Sequence, residues 1–235
     1  MIKGVIFDID DTLYLEKDYV KSGFTAVSRY IEDKTSIDRN TMFDSLWQAF
    51  LDGVRRNTFN LLLENHPALV SHFTIHELVD VYRNHEPSIQ LLPEVRRLLI
   101  NLRNKGYRLG IVSDGFLQSQ QLKVRALGLE KLVDTIQLTD KWGREYWKPH
   151  PRGFEACAKE LGVRHNELCY IADNTEKDFV SPRQLGWFTI HAMVPGQQYK
   201  SSRNILPSAK PDHVIVDFNK ALLLIEQRNQ SVGEV

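Results

Sequence analysis

The stretch at residues 4–13 reads GVIFDIDDTL, and it indicates how the chain begins to fold. Its first four residues are apolar, and a continuous apolar run favours a strand that is buried on both faces of a parallel sheet. Asp8, Asp10 and Asp11 follow where that strand should end. Because burying like charges together is costly, such a cluster is typical of a cation site or of acid–base chemistry. Ligands of open α/β sheets bind beyond the carboxyl ends of the strands, so this stretch predicts an active site at one edge of a sheet.

The bulk composition excludes several classes of protein. The chain has 235 residues, with 30 Lys and Arg against 30 Asp and Glu, and this balance argues against a nucleic-acid partner or an acidic membrane surface. Cys157 and Cys169 are too few for a disulfide framework and are typical of a reduced, cytoplasmic protein. No apolar stretch is long enough to span a bilayer, and the first predicted strand begins too early to leave room for a signal peptide. We therefore predict a cytoplasmic protein with no membrane or nucleic-acid partner; the sequence does not indicate its oligomeric state.

Residues 15–90 have a helical pattern. Apolar side chains recur at helical spacing over 43–51 and again over 75–82, whereas strand-like alternation is scarce. We predict a small helical domain at 15–90, inserted into a second domain made of residues 1–14 and 91–235.

Beyond residue 90, strand and helix patterns alternate. This alternation predicts an α/β fold with a doubly wound, mostly parallel sheet. We expect the residues from Asn229 onward to be frayed. The predicted strands are 109–112, 135–138, 168–172, 188–190 and 213–216, and the predicted helices are 93–105, 117–127, 152–161 and 219–228.

Polar residues of a consistent kind stand at or just beyond four of these strand ends. Asp8 and Asp173 could share one Mg²⁺, an ion that prefers oxygen ligands and retains waters beside a substrate phosphate. The polar residues at or just beyond the four strand ends are Asp8 with Asp10, Ser113, Lys148, and Asp173 with Asp178.

Two of these positions, Ser113 and Lys148, are suited to binding an anion. Ser113, with the backbone N–H groups of Asp114 and Gly115, could hold phosphate oxygens near the start of the next helix. Lys148 would add a positive charge to the same oxygens. Together the four places predict a site for a phosphoryl group.

These motifs resemble those of the haloacid dehalogenase superfamily. Residues 8–12, DIDDT, match its Asp-x-Asp-x-Thr first motif, and Ser113 matches the second. Lys148 with Pro149 matches the third, and residues 173–178, DNTEKD, match the paired-acid fourth. The four motifs occur in family order across the whole sheet-forming part of the chain.

The resemblance implies a role for each matched residue. Asp8 would be the nucleophile that forms an aspartyl-phosphate. Asp10 would protonate the leaving oxygen and later deprotonate water, while its backbone carbonyl binds Mg²⁺. Asp173 would complete the metal site, and Asp178 would support it or lie near Lys148. The substrate-binding positions are Thr12, Asp114 and Gly115.

The chemistry of these roles is coherent. A carboxylate and a phosphate dianion repel each other, and Mg²⁺ with Lys148 would remove that repulsion and stabilise the transition state. To act as an acid Asp10 needs a raised pKa, which we expect from crowding beside Asp8. The fourth motif departs from the family pattern at Ala172 and Lys177, where Gly and Asn are usual, and we expect neither change to abolish activity.

The resemblance also indicates which reaction of the family to expect. Dehalogenase members lack an aspartate at the position of Asp10, so its presence favours phosphoryl transfer. The helical insert resembles the type 1 cap, which closes over small substrates and excludes water. The predicted function is Mg²⁺-dependent hydrolysis of a small phosphorylated metabolite, either a sugar phosphate or a nucleoside monophosphate.

The sequence leaves four alternative functions open. One is a phosphomutase, and another is a phosphometabolite-binding protein that has lost turnover. A dehalogenase and a response-regulator receiver domain fit less well. Residues 142–147, WGREYW, are unusually aromatic for a loop, and could line the mouth of the site, meet the helical cap or simply anchor the loop.

Overall fold

The computed structural model describes residues 1–198 and 206–233, and the chain divides into two units. One unit comprises Met1–Glu16 and Gln90–Val235, and the other comprises Lys17–Ile89.

The second unit is helical. The two stretches predicted to be helical from their apolar spacing, 43–51 and 75–82, lie within its second and fourth helices. The sequence patterns did not single out its long first helix. Phe24, Leu46 and Leu78 are buried in its core. Asp38 and Thr74 cap two helices by accepting hydrogen bonds from Thr41 N–H and Glu77 N–H, which satisfies N–H groups that lack helical partners. The helices are α1 (Glu16–Thr35), α2 (Arg39–Leu51), α3 (Thr58–Asn65) and α4 (Ile75–Asn84).

The first unit contains a parallel sheet. Among the described residues it has six strands in the order β3-β2-β1-β4-β5-β6, which confirms the predicted α/β fold. β1 lies in the middle of the sheet and all four of its residues are buried. Its residue Val5 pairs with Leu109 of β2 on one side and with Cys169 of β4 on the other. The strands are β1 (Gly4–Phe7), β2 (Arg108–Ser113), β3 (Thr135–Leu138), β4 (Leu168–Ala172), β5 (Phe188–Ala192) and β6 (His213–Ile215).

Helices connect the strands of this sheet. None of the helices in the described parts of the chain is long and apolar enough to cross a membrane. The helices are α5 (Pro93–Asn104), α6 (Leu117–Leu127), α7 (Arg152–Leu161), α8 (Val180–Gln184) and α9 (Asn219–Gly233).

The prediction of fraying from Asn229 is wrong up to residue 233, because α9 continues to Gly233. The Asn229 side chain accepts a hydrogen bond from Ile2 N–H and donates one to the Tyr107 hydroxyl at 3.2 Å. These contacts hold the end of the helix against the start of the chain. Residues 234–235 lie outside the described residues.

Gly110 in β2 is a point of close packing between the sheet and α7. A Cβ atom at this position would lie 2.6 Å from Cys157 Sγ, 3.2 Å from Thr135 Cγ2 and 3.3 Å from Ile6 Cγ1. Since protein interiors are close-packed, an added methyl group has no room unless α7 shifts.

We predict that Gly110→Ala lowers the free energy of unfolding by about 1–3 kcal/mol, because it overpacks the contact with Cys157. Urea denaturation measures the change. The double variant Gly110→Ala with Cys157→Ala should recover part of the loss, since the sulfur atom is then absent. Unchanged stability in Gly110→Ala would contradict the packing described here.

Candidate active site

The candidate site lies at the carboxyl edge of the parallel sheet. Asp8 follows β1 directly, Ser113 is the last residue of β2, and Asp173 follows β4 directly. Lys148 comes from the segment that leads from β3 to α7. Neighbouring parallel strands end at the same edge, so residues far apart in the sequence meet here.

Lys148 forms the centre of the charged cluster. Its Nζ lies 2.8 Å from Asp8 Oδ1 and 2.6 Å from Asp178 Oδ1, and all three side chains are buried. Burial alone would lower the pKa of Lys148, but Asp178 and Asp8 raise it well above its ordinary value. Lys148 is therefore a fixed cation between two carboxylates.

Tyr170 is a member of this cluster that the sequence interpretation missed. It lies in β4, is fully buried, and its hydroxyl accepts a hydrogen bond from Lys148 Nζ at 3.2 Å. The same oxygen is 3.4 Å from the Val112 carbonyl and 3.4 Å from Asp178 Oδ1. A tyrosine in an otherwise apolar buried strand was the available signal, because a buried phenol requires a polar partner.

Asp8, Asp173 and Asp178 make the cluster suitable for a cation. Each offers a carboxylate oxygen, and these oxygens lie within 4.8 Å of one another. Burial raises the pKa of Asp173 to about 9, and the Asp178 and Asp8 charges add to this rise. Burial also raises the pKa of Asp8 to about 6, although Lys148 lowers it. When all three carboxyl groups are ionised, as a bound cation would favour, they carry more negative charge than Lys148 neutralises, and this oxygen donor set fits a divalent ion.

The segment after β2 is fixed by the side chain of Asp114. Its Oδ1 accepts hydrogen bonds from Lys148 N–H at 3.1 Å and from the Thr139 hydroxyl at 2.6 Å. Gly115 has φ = +132°, a backbone conformation that other residues rarely adopt. The Asp114 carboxylate thus joins the segment that carries Ser113 to the segment that carries Lys148.

Lys177 places a second ammonium group beside this segment. Its Nζ lies 3.6 Å from Asp114 Oδ2, and its side chain is 37% exposed. Burial and Lys148 would lower its pKa, but Asp178, Asp8 and Asp114 keep it above the ordinary value. This departure from the family pattern adds positive charge to the site.

Asp10 does not have the environment expected from the sequence. Its Oδ1 lies 2.7 Å from Lys123 Nζ and accepts a hydrogen bond from the Tyr14 hydroxyl, and its Oδ2 accepts one from Gln120 at 3.0 Å. Burial alone would raise the pKa of Asp10, but Lys123, Tyr14 and Gln120 hold it below its ordinary value. The expectation that crowding beside Asp8 raises this pKa is therefore wrong, because the carboxylate is paired with a lysine from α6.

The other two polar residues of the first motif differ in their contacts. Asp11 has φ = +50°, and its carboxylate accepts hydrogen bonds from Glu16 N–H at 2.8 Å and Gln198 N–H at 2.6 Å. Asp11 thus holds the turn after β1. Thr12 is buried, and its hydroxyl has no hydrogen-bond partner within the described part of the chain.

The aromatic segment at 142–147 makes anchoring contacts. Trp147 Nε1 donates to Asp140 Oδ1 at 3.0 Å, and Asp140 Oδ2 accepts from the first N–H of α6 at 2.9 Å. The Arg152 guanidinium carbon lies 5.1 Å from the Trp142 ring centroid and 4.3 Å from that of Tyr146. These contacts favour the interpretation that the aromatic residues anchor the segment preceding Lys148.

Residues 2–186 match the family model described as haloacid dehalogenase-like hydrolase. The chain belongs to this family of hydrolases.

This haloacid dehalogenase-like hydrolase is similar to two archaeal proteins named glyceraldehyde 3-phosphate phosphatase. It is 28% identical to the protein of Methanopyrus kandleri, over 87% of this chain and 89% of the relative. It is 26% identical to that of Methanocaldococcus jannaschii, over 82% of this chain and 86% of the relative. Its fold is also that of a HAD family hydrolase from Deinococcus radiodurans crystallised with bound phosphate and sodium, with a TM-score of 0.64, 19% identity and coverage of 96% of each chain.

We predict that Mg²⁺ raises the melting temperature of the hydrolase relative to EDTA, because the carboxylates of Asp8, Asp173 and Asp178 are brought together only in the folded state. An ion concentration of 100 Kd would add about 2.7 kcal/mol of stability. In a protein of this size each kcal/mol corresponds to a shift of about 2–4 °C. Differential scanning fluorimetry measures both conditions.

Asp173→Asn should abolish this response to Mg²⁺ and raise the melting temperature in EDTA at neutral pH. The folded-state pKa of Asp173, about 9, lies above the ordinary value, so its carboxyl group costs stability progressively as pH rises between those two values. Asp33→Asn, at an exposed position on α1, is the control and should respond like the wild type. An undiminished response to Mg²⁺ in Asp173→Asn would rule out the cluster as the cation site.

Proposed function

We propose that this hydrolase is an Mg²⁺-dependent phosphatase that cleaves a small phosphomonoester through an aspartyl-phosphate intermediate. The observation that carries the proposal is the ion pair of Asp8 with Lys148, buried beside the carboxylates of Asp173 and Asp178. The names of the two archaeal relatives support phosphate ester hydrolysis. When bound by Asp8, Asp173 and the Asp10 carbonyl, Mg²⁺ would supply positive charge to the phosphate and to the attacking carboxylate.

In the proposed first step, an Asp8 carboxylate oxygen attacks phosphorus. Lys123, Tyr14 and Gln120 hold the pKa of Asp10 low, and the negative charge of a bound phosphate would raise it so that the carboxyl group carries a proton. The bond from phosphorus to the ester oxygen breaks, and the Asp10 carboxyl group gives that proton to the departing alcohol oxygen. Asp8 then carries the phosphoryl group. The Lys148 ammonium, 2.8 Å from Asp8 Oδ1, reduces the repulsion between the carboxylate and the phosphate and stabilises the charge of the transition state.

In the proposed second step, Asp10 takes a proton from a water molecule as the water oxygen attacks phosphorus. The bond from phosphorus to Asp8 breaks, which releases inorganic phosphate and restores the carboxylate. Asp10 thus acts first as an acid and then as a base, and each turnover returns it to its starting state.

Four groups are proposed to bind the phosphate oxygens. Ser113 offers its hydroxyl, and Asp114 and Gly115 offer their backbone N–H groups. The Asp114 side chain supports this arrangement by fixing the segment through Lys148 N–H and Thr139. The buried Thr12 hydroxyl is the fourth group, and its lack of a partner within residues 1–198 and 206–233 supports the assignment.

We further propose that the substrate is a small metabolite, with sugar phosphates and nucleoside monophosphates as the classes to test. Triose phosphates come first, because the archaeal relatives are named for one. The helical unit, Lys17–Ile89, is proposed to act as a type 1 cap that excludes water during turnover. Its position in the chain, between the first and second motifs, supports this role.

The proposal is tested by measuring inorganic phosphate release over a panel that contains glyceraldehyde 3-phosphate, glycerol phosphate, hexose phosphates, AMP and pyrophosphate. With Mg²⁺ we expect release from at least one sugar phosphate or nucleoside monophosphate, and with EDTA we expect none. A requirement for a bisphosphate activator would indicate a phosphomutase. Ligand-induced stabilisation without turnover anywhere in the panel would indicate a silent binding protein and overturn the proposal.

The matched controls for this panel are Asp8→Asn and Asp11→Asn, in the same short segment. Asp8→Asn should lower kcat by a factor of about 10⁴ or more, because it removes the nucleophile. Asp11→Asn should affect kcat far less, since Asp11 bonds to the backbone of Glu16 and Gln198. Equal activity of Asp8→Asn and wild type would exclude Asp8 as the nucleophile.

A further inference from the structure

We propose that Lys123 and Gln120 of α6 are positioning residues that orient the Asp10 carboxyl group for proton transfer. This inference rests on the proposed phosphatase function, and it assigns a task to two side chains outside the four sequence motifs. Both side chains are buried and both contact Asp10 directly.

Lys123 holds one oxygen of Asp10. Lys123 and Gln120 are three residues apart and so share one face of α6. The Lys123 Nζ lies 2.7 Å from Asp10 Oδ1, and its side chain is only 6% exposed. A buried ammonium group is stable only when it is paired, so this geometry ties the position of α6 to that of the carboxylate.

Gln120 holds the other oxygen and also contacts the second motif. Its amide nitrogen donates to Asp10 Oδ2 at 3.0 Å and to the Ser113 hydroxyl oxygen at 2.9 Å. Gln120 is 1% exposed, and its side chain packs against Gly115. A single amide group therefore connects the proposed proton carrier with the proposed phosphate-binding hydroxyl.

Together these contacts constrain the plane of the Asp10 carboxyl group. The Tyr14 hydroxyl and Lys123 Nζ both donate hydrogen bonds to Asp10 Oδ1, and the Gln120 amide donates one to Asp10 Oδ2. Because Gln120 also holds Ser113, the arrangement fixes Asp10 relative to the place where the phosphate is proposed to bind. A misplacement of about 1 Å in such a group can slow a reaction about 100-fold.

The consequence depends on the leaving group. An alkyl phosphate releases an alcohol only if Asp10 delivers a proton as the P–O bond breaks. p-Nitrophenyl phosphate releases a stable phenolate, which departs without that proton. Loss of the Asp10 orientation should therefore slow alkyl phosphate cleavage selectively, whereas general damage to the site slows both reactions alike.

The test compares kcat/KM for p-nitrophenyl phosphate with that for the alkyl phosphate cleaved fastest in the panel described above. In Lys123→Met and in Gln120→Ala, we expect the alkyl phosphate to lose about 10- to 100-fold more activity than p-nitrophenyl phosphate. In Lys123→Arg the excess loss of alkyl phosphate activity should be smaller than in Lys123→Met, because the positive charge is kept. Gln121→Ala, at the adjacent exposed position on α6, should leave the ratio of the two activities unchanged.

Each outcome is decisive for one of the two proposals. Equal losses on both substrates would overturn the positioning role, while the proposed phosphatase function would stand on the turnover of the wild type. A wild-type protein inactive on both substrates would overturn the phosphatase function itself. If Lys123→Met does not fold, the ratio in Gln120→Ala decides, because that change removes no buried charge.

Discussion

The buried contact of Lys148 with Asp8 and Asp178 holds the site together. Without the ammonium group, two carboxylates would face each other in a dry environment, which is strongly unfavourable. The protein holds Lys148 in place by several independent means: its backbone N–H donates to Asp114, its Nζ donates to Tyr170, and aromatic residues brace the segment before it. Three strand ends and one connecting segment thereby meet at Lys148.

Environment gives the aspartates at this edge different properties. Asp8 and Asp173 are buried among other carboxylates, which raises the pKa of both. Asp10, two residues from Asp8, turns toward Lys123 and has a lowered pKa. Asp11 turns toward backbone N–H groups and holds the loop. Side-chain direction, rather than residue type, separates these tasks, as is general for carboxylates that share one site.

Local pattern was enough to predict most of the α/β unit. The bounds of β3, β4, α6 and α7 coincide with those predicted, because each is a strongly periodic or continuous apolar run between turn residues. The sheet edge at which Asp8, Ser113 and Asp173 lie followed from their positions at the ends of predicted strands. What could not be predicted is the partner of a side chain across the fold. The distance in sequence between Asp10 and Lys123 does not predict that their side chains contact each other. The anchoring of α9 through Asn229 likewise depends on tertiary packing.

In the proposed mechanism, Asp8 faces the phosphorus while Lys148 and a cation offset the charge. A crystal structure with Mg²⁺ and beryllium fluoride, which mimics a phosphoryl group, would show whether this arrangement forms. We expect the fluoroberyllate bonded to an Asp8 oxygen and in contact with Ser113 and Lys148, with the cation held by Asp8 and Asp173. An adduct on another residue, or a cation bound away from Asp173, would exclude this mechanism.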